Sequence, residues 1–195
     1  AVCSQYGQSH TVETRYAQNI AHKFNVPLYL YDIGDFLKKI ADSTLLNPGD
    51  HNKAHLHSCN LPASFIPNRN GLFLTIASNH AFRNDEYHIH LVTGTCQTDY
   101  SGYPDCRDKF IKAKAKELTL GLDRPVSIHT PLMFKTKAET FAMAYKADKL
   151  QGLIEGTMTC YNGIETLNAW GRGCGNCPAC QLRRKGFEEF LKRKK

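Results

Sequence analysis

The feature that most constrains this chain is a cluster of cysteines close to its C-terminal end. Cys174, Cys177 and Cys180 follow one another at intervals of three residues, and Cys160 lies a short distance upstream. A tight turn can present thiolates two or three residues apart, and a tetrahedral Zn²⁺ ion takes four such soft ligands. The spacing therefore predicts a four-cysteine zinc site. With every position filled by protein, such a site stabilises the fold and leaves no open position for chemistry.

Two other interpretations of these cysteines stay open. An iron–sulfur cluster also takes four thiolates, but its usual bacterial signature continues to a further Cys-Pro, which residues 182–185 do not contain. Disulfide bonds are the other alternative, and they are disfavoured because the sequence shows no charged-then-apolar leader. Zinc is the interpretation that we favour.

Upstream of the cysteines, hydrophobic periodicity alternates between helical and extended patterns. The helical pattern predicts helices over residues 11–24, 35–40, 68–82, 108–118, 137–147 and 178–192. Short apolar runs predict strands over residues 26–31, 87–93 and 126–129, whereas residues 42–63 have no clear period and are expected to form a long loop. Strands that alternate with helices indicate an α/β fold with an open, mostly parallel sheet. Ligands of such sheets bind outside the carboxyl ends of the strands, so we expect the polar loops there to form one pocket.

The composition is that of an ordinary globular protein with a surplus of positive charge. Hydrophobic residues make up 42% of the 195 positions and charged residues 22%, which is enough to bury a core. No apolar run approaches the roughly 20 residues of a membrane-spanning helix, so we expect a cytoplasmic protein, in the host cytoplasm if a phage encodes it. Lys and Arg outnumber Asp and Glu by 25 to 18, giving a formal charge of +7 that favours anionic ligands. A zinc-dependent nucleic-acid-binding protein is one reading of this charge, and it predicts steeply salt-dependent affinity.

Residues 95–108 form a polar loop that is rich in functional side chains. It contains the carboxylates Asp99, Asp105 and Asp108, the guanidinium of Arg107, and the rings of Tyr100 and Tyr103. Carboxylates accept hydrogen bonds from amino and ring N–H groups and tyrosines stack on flat rings, so the loop suits a planar, nitrogen-rich ligand. The alternative is that the aspartates cap the following helix. Cys96 and Cys106 lie in this loop without a nearby histidine to act as a base, which disfavours a cysteine nucleophile.

Two further positions can bind anions. Arg69, between Asn68 and Asn70 at a predicted helix start, offers a cation and backbone N–H groups to a phosphate or carboxylate, although Asn68 is equally suited to cap the helix. Lys137 and Glu139 can help to hold a transferred phosphoryl or adenylyl group, but the sequence alone favours a surface ion pair. Neither G-x-x-x-x-G-K-[ST] nor G-x-G-x-x-G occurs, so the phosphate loops of ordinary NTPases and dinucleotide enzymes are missing from this sequence.

Five segments spread over the chain carry a specific resemblance. They are Tyr6-Gly7-Gln8-Ser9-His10, Ile66-Pro67-Asn68-Arg69-Asn70, the run T-D-Y-S-G-Y-P-D-C-R-D at residues 98–108, Thr130-Pro131-Leu132, and Thr159-Cys160-Tyr161-Asn162-Gly163 with the cysteine cluster. In order and spacing they resemble the 7-cyano-7-deazaguanine synthases, over nearly the whole chain.

The resemblance implies a Rossmann-like fold of the PP-loop ATPase (adenine nucleotide alpha hydrolase-like) type, followed by a C-terminal four-cysteine zinc segment. It also implies an ATP-dependent carbon–nitrogen ligase. Such enzymes convert 7-carboxy-7-deazaguanine and ammonia into 7-cyano-7-deazaguanine, through an adenylate and an amide, for queuosine in tRNA or for modified DNA bases. ATP with Mg²⁺ is the implied co-substrate, one structural Zn²⁺ the implied metal, and a homodimer the implied assembly. Neither membrane binding nor direct nucleic-acid binding is expected.

Site residues follow from the same resemblance, position by position. The implied zinc ligands are Cys160, Cys174, Cys177 and Cys180. The residues expected to bind the deazapurine, its carboxylate or the phosphates are Arg69, Asn70, Asp99, Tyr100, Tyr103, Asp105, Arg107, Lys137 and Glu139. The residues expected to contact the nucleotide are Tyr6, Gly7 and Gln8. No residue is assigned to the catalytic step itself.

The sequence departs from the family pattern in three places. The nucleotide loop S-G-G-x-D-S has no counterpart in these 195 residues, which start within what we take for the family's second strand. An alternative function is therefore a catalytically silent, zinc-stabilised subunit that binds a deazapurine or a partner without ATP chemistry. Asn68 stands where the family usually has glycine, and the segment between Cys160 and Cys174 is longer than usual. We expect residues 1–150 to form an N-terminally incomplete nucleotide and deazapurine domain, with residues 151–195 packed onto it as a zinc-binding segment.

Overall fold

The computed structural model of the chain describes residues 1–47, 49–97 and 102–194. The helices are α1 (Val12–Lys23), α2 (Gly34–Ile40), α3 (Arg69–Arg83), α4 (Asp108–Leu122), α5 (Lys137–Lys146), α6 (Leu150–Gly156) and α7 (Pro178–Lys194), with a short 3-10 helix at Pro104–Cys106. The strands are β1 (Val2–Gln5), β2 (Tyr29–Asp32), β3 (Ala54–His55), β4 (Ser58–Pro62), β5 (Ile89–Val92), β6 (Val126–His129), β7 (Leu167–Asn168) and β8 (Gly171–Arg172). None of the helices within these ranges combines the length and the apolarity needed to cross a membrane.

Parallel strand pairs confirm the predicted α/β class. β1 pairs with β2 from Val2↔Tyr29 onward, and β5 pairs with β6 from Ile89↔Val126 onward, both in parallel. Each pair is joined through a helical crossover, as parallel neighbours require. The described strands associate two by two, and the remaining pairs, β3 with β4 and β7 with β8, are antiparallel.

The chain divides into two compact units, which we name by their place in the sequence. The central unit comprises Ile66–Lys135, and the terminal unit comprises Ala1–Phe65 together with Thr136–Lys195.

The core of the central unit lies on one face of the β5–β6 pair. Along β5, Ile89 and Leu91 are buried whereas His90 and Val92 are exposed, because successive side chains of a strand point to opposite faces. Helices α3 and α4 cover the buried face with apolar side chains at helical spacing, among them Leu74 and Ile111. This arrangement holds the loops after β5 and β6 at one end of the unit.

Apolar clusters hold together the described parts of the terminal unit. One surrounds the cysteines and includes Met158 and Trp170. Another joins α5 to α7 through Phe141 and Phe190. Arg183 of α7 is only 5% exposed, and its guanidinium donates hydrogen bonds to the carbonyls of Trp170 at 2.9 Å and Leu153 at 2.8 Å. Since buried cations persist only when they are hydrogen-bonded, these contacts fix α7 against the segment that carries the cysteines.

The prediction of a structureless loop over residues 42–63 is wrong for its second half. Strands β3 and β4 form an antiparallel hairpin there, with an irregular register between Ala54 and His55. The loop's histidines are engaged with nearby groups: His51 bonds Thr44 Oγ1 at 2.8 Å and His55 bonds the carbonyl of Asp42 at 2.9 Å. Such short strands, stabilised by contacts outside their own sequence, leave no periodic pattern to detect.

Candidate functional site

The four predicted metal ligands converge in the terminal unit. The Sγ atoms of Cys160, Cys174, Cys177 and Cys180 all lie within 4.8 Å of one another. Cys160 and Cys180 are fully buried, and Cys177 is 4% exposed. Four thiolates around one tetrahedral ion at about 2.3 Å would be about 3.8 Å apart, and the Sγ atoms of Cys174 and Cys180 are 3.9 Å apart. The cluster can therefore hold a single metal ion such as zinc, and it is too compact for several iron and sulfide atoms.

Hydrogen bonds and burial shift the pKa values of the clustered cysteines in opposite directions. The backbone N–H groups of Asn176 and Cys177 donate to Cys174 Sγ at 3.4 and 3.3 Å. A hydrogen bond with Cys180 lowers the pKa of Cys177 to about 4, and the same contact, together with burial, raises the pKa of Cys180. Burial also raises the pKa of Cys160. A metal ion must therefore displace protons from some of these thiols before it is bound by all four.

In the central unit, the loops that leave β5 and β6 run side by side. The N–H of Thr93 donates to the carbonyl of His129, and the N–H of Gln97 donates to the carbonyl of Met133, each at 3.0 Å. The Cys96 thiol adds a bond to the carbonyl of Lys135 at 3.1 Å. The loops after these two strands thus form one surface, as the parallel-sheet argument predicts for them.

Asn70 and Asp105, both predicted as substrate-binding residues, are in direct contact. The Asn70 N–H donates to Asp105 Oδ2 at 2.9 Å, and its side-chain amide donates to Cys106 Sγ at 3.2 Å. Asp105 is 4% exposed, and its Oδ1 is buried without a hydrogen-bond partner in the part of the chain that the structure describes. The Asp105 carboxylate thus connects the start of α3 to the 3-10 helix through Oδ2, while Oδ1 can accept a further hydrogen bond.

Arg107 lies at the edge of a cleft beside these residues. The cleft has a volume of about 450 Å³ and is lined by Gln97, Arg107, Asp108, Lys109 and Phe134. Arg107 donates to the carbonyl of Gly102 at 3.3 Å, and Gln97 Oε1 accepts from the Asp108 N–H at 3.0 Å. The Phe134 side chain is 63% exposed. Two cations, a carboxylate, an amide and an exposed aromatic ring therefore border the same open cleft.

Sequence reasoning missed Gln97, Lys109 and Phe134 as members of this cleft. A signal was available for Phe134, because it lies two residues after the motif Thr130-Pro131-Leu132. Lys109 is close to Arg107 in the sequence, but the pattern gave no reason to separate it from the other lysines of the same helix. Tyr103, which was predicted, is 8% exposed. Asp99 and Tyr100 lie outside the described residues.

Lys137 and Glu139 belong to the terminal unit and occupy the first turn of α5. The Glu139 carboxylate accepts hydrogen bonds from the Thr136 N–H at 2.7 Å and the Thr136 hydroxyl at 3.0 Å, while the Glu139 N–H donates back to that hydroxyl at 3.2 Å. This reciprocal pattern is a capping box, which satisfies otherwise unpaired donors at a helix start. Glu139 thereby orients the turn that carries Lys137, and a substrate contact of either residue stays a prediction.

The predicted nucleotide-binding residues Tyr6, Gly7 and Gln8 follow β1 in the terminal unit. Tyr6 is buried, and its N–H donates to the side chain of Gln8 at 2.9 Å. Gly7 has a φ of 81°, a value that glycine adopts without strain, so the chain turns sharply at this point. The turn lies at the carboxyl end of a parallel strand, where α/β folds bind ligands.

Comparison with known proteins identifies the family. The family described as "Queuosine biosynthesis protein QueC" matches residues 1–191. A "7-cyano-7-deazaguanine synthase" of Wolinella succinogenes is 42% identical over 193 residues, which cover 97% of this chain and 82% of the relative. A protein of the same name from Helicobacter pylori strain Shi470 is 44% identical over 97% of this chain and 84% of its own length. With a match that spans almost all of its residues, the chain belongs to the QueC family of queuosine biosynthesis proteins.

Proposed function

We propose that this chain converts 7-carboxy-7-deazaguanine and ammonia into 7-cyano-7-deazaguanine, with ATP and Mg²⁺ as co-substrates. Its family membership supports the reaction class, since the relatives from W. succinogenes and H. pylori carry the name of this synthase. The observation that carries the proposal is the cleft of the central unit, where Arg107 and Lys109 share a cavity with the exposed ring of Phe134. A flat heterocycle that bears a carboxylate matches these groups in shape and charge.

In the proposed reaction, the substrate carboxylate attacks the α-phosphorus of ATP and pyrophosphate leaves. Ammonia then attacks the acyl carbon, loses a proton and displaces AMP, which gives the amide. The amide oxygen then attacks the α-phosphorus of a second ATP, and pyrophosphate and one N–H proton leave. Loss of AMP and of the last N–H proton yields the nitrile. Each activation brings several anionic oxygens together, so cationic side chains are the groups to expect around them.

We assign roles to the protein's residues on this basis. Arg107 and Lys109 hold the substrate carboxylate, and the ring of Phe134 stacks on the deazapurine. Asp105 accepts a hydrogen bond from an N–H group of the base. In the central unit, Arg69 binds an anionic oxygen of a substrate. In the terminal unit, Lys137 binds a phosphate oxygen, and the turn at Tyr6, Gly7 and Gln8 contacts the nucleotide.

We also propose that the four-cysteine cluster holds one Zn²⁺ ion with a structural role. Four protein thiolates complete a tetrahedral shell and leave no position for a substrate, so the metal would stabilise the fold of the terminal unit. The functional assembly that we expect is a homodimer.

The first test is calorimetric titration of the zinc-loaded chain with 7-carboxy-7-deazaguanine, with and without Mg·ATP, followed by an assay for AMP. Binding that ATP tightens, with AMP release once ammonia is added, is the expected result. Binding of the base without any response to ATP would instead favour the silent deazapurine-binding subunit. No binding of either ligand would refute both the synthase and the deazapurine-binding function and would leave only a zinc-stabilised scaffold.

Matched variants locate the site. Removing one charge-assisted hydrogen bond costs about 1.5–3 kcal/mol, so Arg107→Met and Lys109→Met should each weaken base binding by about 10- to 100-fold. Lys116→Met is the control, because Lys116 is an exposed residue of the same helix that does not line the cleft. Equal binding by all three variants would show that the cleft is not the substrate site.

A further inference from the structure

Three histidines gather on the face of the β5–β6 pair opposite to its apolar core. His88 immediately precedes β5, His90 lies within it, and His129 is the last residue of β6. All three are exposed, and β5 alternates, with Ile89 and Leu91 facing the core. The substrate cleft and the cysteine cluster include none of these histidines, so the proposed synthase reaction does not use them.

The imidazole rings are in close mutual contact. His90 Nδ1 lies 3.0 Å from His129 Nε2, and the planes of the two rings differ by 20°. The ring centroids of His88 and His90 are 4.2 Å apart. His88 Nε2 bonds Ser127 Oγ at 3.2 Å, which holds this third ring beside the other two. The parallel register determines this grouping, because His90 pairs with Ser127 and Val92 pairs with His129.

The nitrogen separation of the closest pair fits chelation of a metal ion. With metal–nitrogen bonds of about 2.0–2.1 Å, two nitrogens 3.0 Å apart subtend an angle of about 91–97° at the metal. An angle near 90° is the one between neighbouring ligands in tetragonal nitrogen sites of Cu²⁺ and Ni²⁺.

The geometry points to a second metal site, in which His90 Nδ1 and His129 Nε2 chelate a divalent transition-metal ion of the Cu²⁺ or Ni²⁺ class. The ion replaces the shared hydrogen bond between the rings, and the broad χ2 torsion of histidine lets each ring turn its lone pair toward it. His88 can supply a third nitrogen by leaving Ser127. Solvent water fills the remaining positions, since the face is exposed. Imidazole ligands distinguish this site from the four-thiolate cluster of the terminal unit, which favours zinc.

Nickel is the probe for the test, because Ni²⁺ does not oxidise the cysteines of the chain. The full chain is first loaded with Zn²⁺, freed of excess metal, and then titrated with Ni²⁺ by calorimetry. One Ni²⁺ should bind per chain while the zinc content stays constant. In a chelate, the second histidine binds the metal in an intramolecular step, at a high effective concentration. This advantage is lost when one histidine is removed, so His90→Gln and His129→Gln should each weaken Ni²⁺ binding by about 100-fold.

His22→Gln is the matched control, because His22 is an exposed histidine of α1 in the other unit. It should leave Ni²⁺ affinity unchanged, and His88→Gln should lower it less than either chelating variant. Circular dichroism and zinc content verify that each variant is folded. Absence of Ni²⁺ binding in the wild-type chain would overturn the proposal, as would an affinity that both chelating variants keep.

Discussion

Gly186 offers a quantitative test of how packing positions the proposed ATP-binding lysine. This residue of α7 lies against the first turn of α5, and a methyl group added at Gly186 would sit 2.3 Å from Lys137 Cβ and 3.1–3.2 Å from its backbone atoms. Carbon atoms normally pack at about 3.5–4.0 Å, so the helices would have to separate locally by more than about 1 Å. Gly186→Ala therefore disturbs both the packing of α7 on α5 and the position of Lys137.

The expected stability change is a difference between two opposing effects. Overpacking against backbone costs about 2–3 kcal/mol, near the top of its usual range. Alanine recovers about 1 kcal/mol relative to glycine inside a helix. We therefore expect Gly186→Ala to lower the free energy of unfolding by about 1–2 kcal/mol.

Denaturant unfolding of the zinc-loaded chain measures this change, with Gly152→Ala as the control. Gly152 lies within α6 of the same unit, and the nearest atom to its added methyl group would be Lys23 Nζ at 3.9 Å. Helix propensity alone should then raise the stability of the control by about 0.4–1 kcal/mol. If Gly186→Ala proved as stable as Gly152→Ala, the close approach of α7 to Lys137 would not exist in solution. AMP production should fall in Gly186→Ala and persist in the control.

Three further predictions concern the terminal unit. Removal of the metal with an external chelator, or the substitution Cys160→Ser, should lower the melting temperature of the chain. Added Zn²⁺ should restore the melting temperature only in the unsubstituted chain. Zinc affinity, measured by competition with a chelating dye, should fall as the pH is lowered, because the thiols with raised pKa values, Cys160 and Cys180, must lose protons to bind metal. Arg183→Met should destabilise the chain by about 2–4 kcal/mol in urea unfolding, since it leaves buried carbonyls without donors, whereas Arg184→Met should change little.

The elements that could be predicted from the sequence are those with a repeating pattern of their own. Helix α3 is predicted over residues 68–82 and observed at Arg69–Arg83, because a buried stripe recurs along it. Helix α6 was missed, since it spans only Leu150–Gly156 and none of its residues is fully buried. Strands β3 and β4 were missed because they are short and are supported by contacts outside the hairpin, such as the bond between His55 and the carbonyl of Asp42.

The candidate site also contains residues that sequence spacing predicts and residues that meet only in the folded chain. The four cysteines could be predicted from spacing, because three of them share one turn and the chemistry of thiolates is specific. The cleft could be predicted only in part: Arg107 lies in a recognisable motif, whereas Phe134 joins it through the pairing of β5 with β6. Periodicity says nothing about which loop residues meet across a sheet.

Asn68, the residue before α3, has a backbone conformation in which glycine is common. The residue has φ 55° and ψ 26°, a left-handed conformation that glycine adopts freely and that asparagine tolerates better than other residues with side chains. Its side chain also needs room, and Gly71 provides it: a Cβ at Gly71 would lie 2.1 Å from Asn68 Oδ1. Asparagine at one position and glycine three residues later therefore act as a matched pair at the start of α3. The pair preserves the backbone path that brings the Asn70 N–H to Asp105, so the requirement at position 68 is a left-handed conformation, which glycine or asparagine can meet.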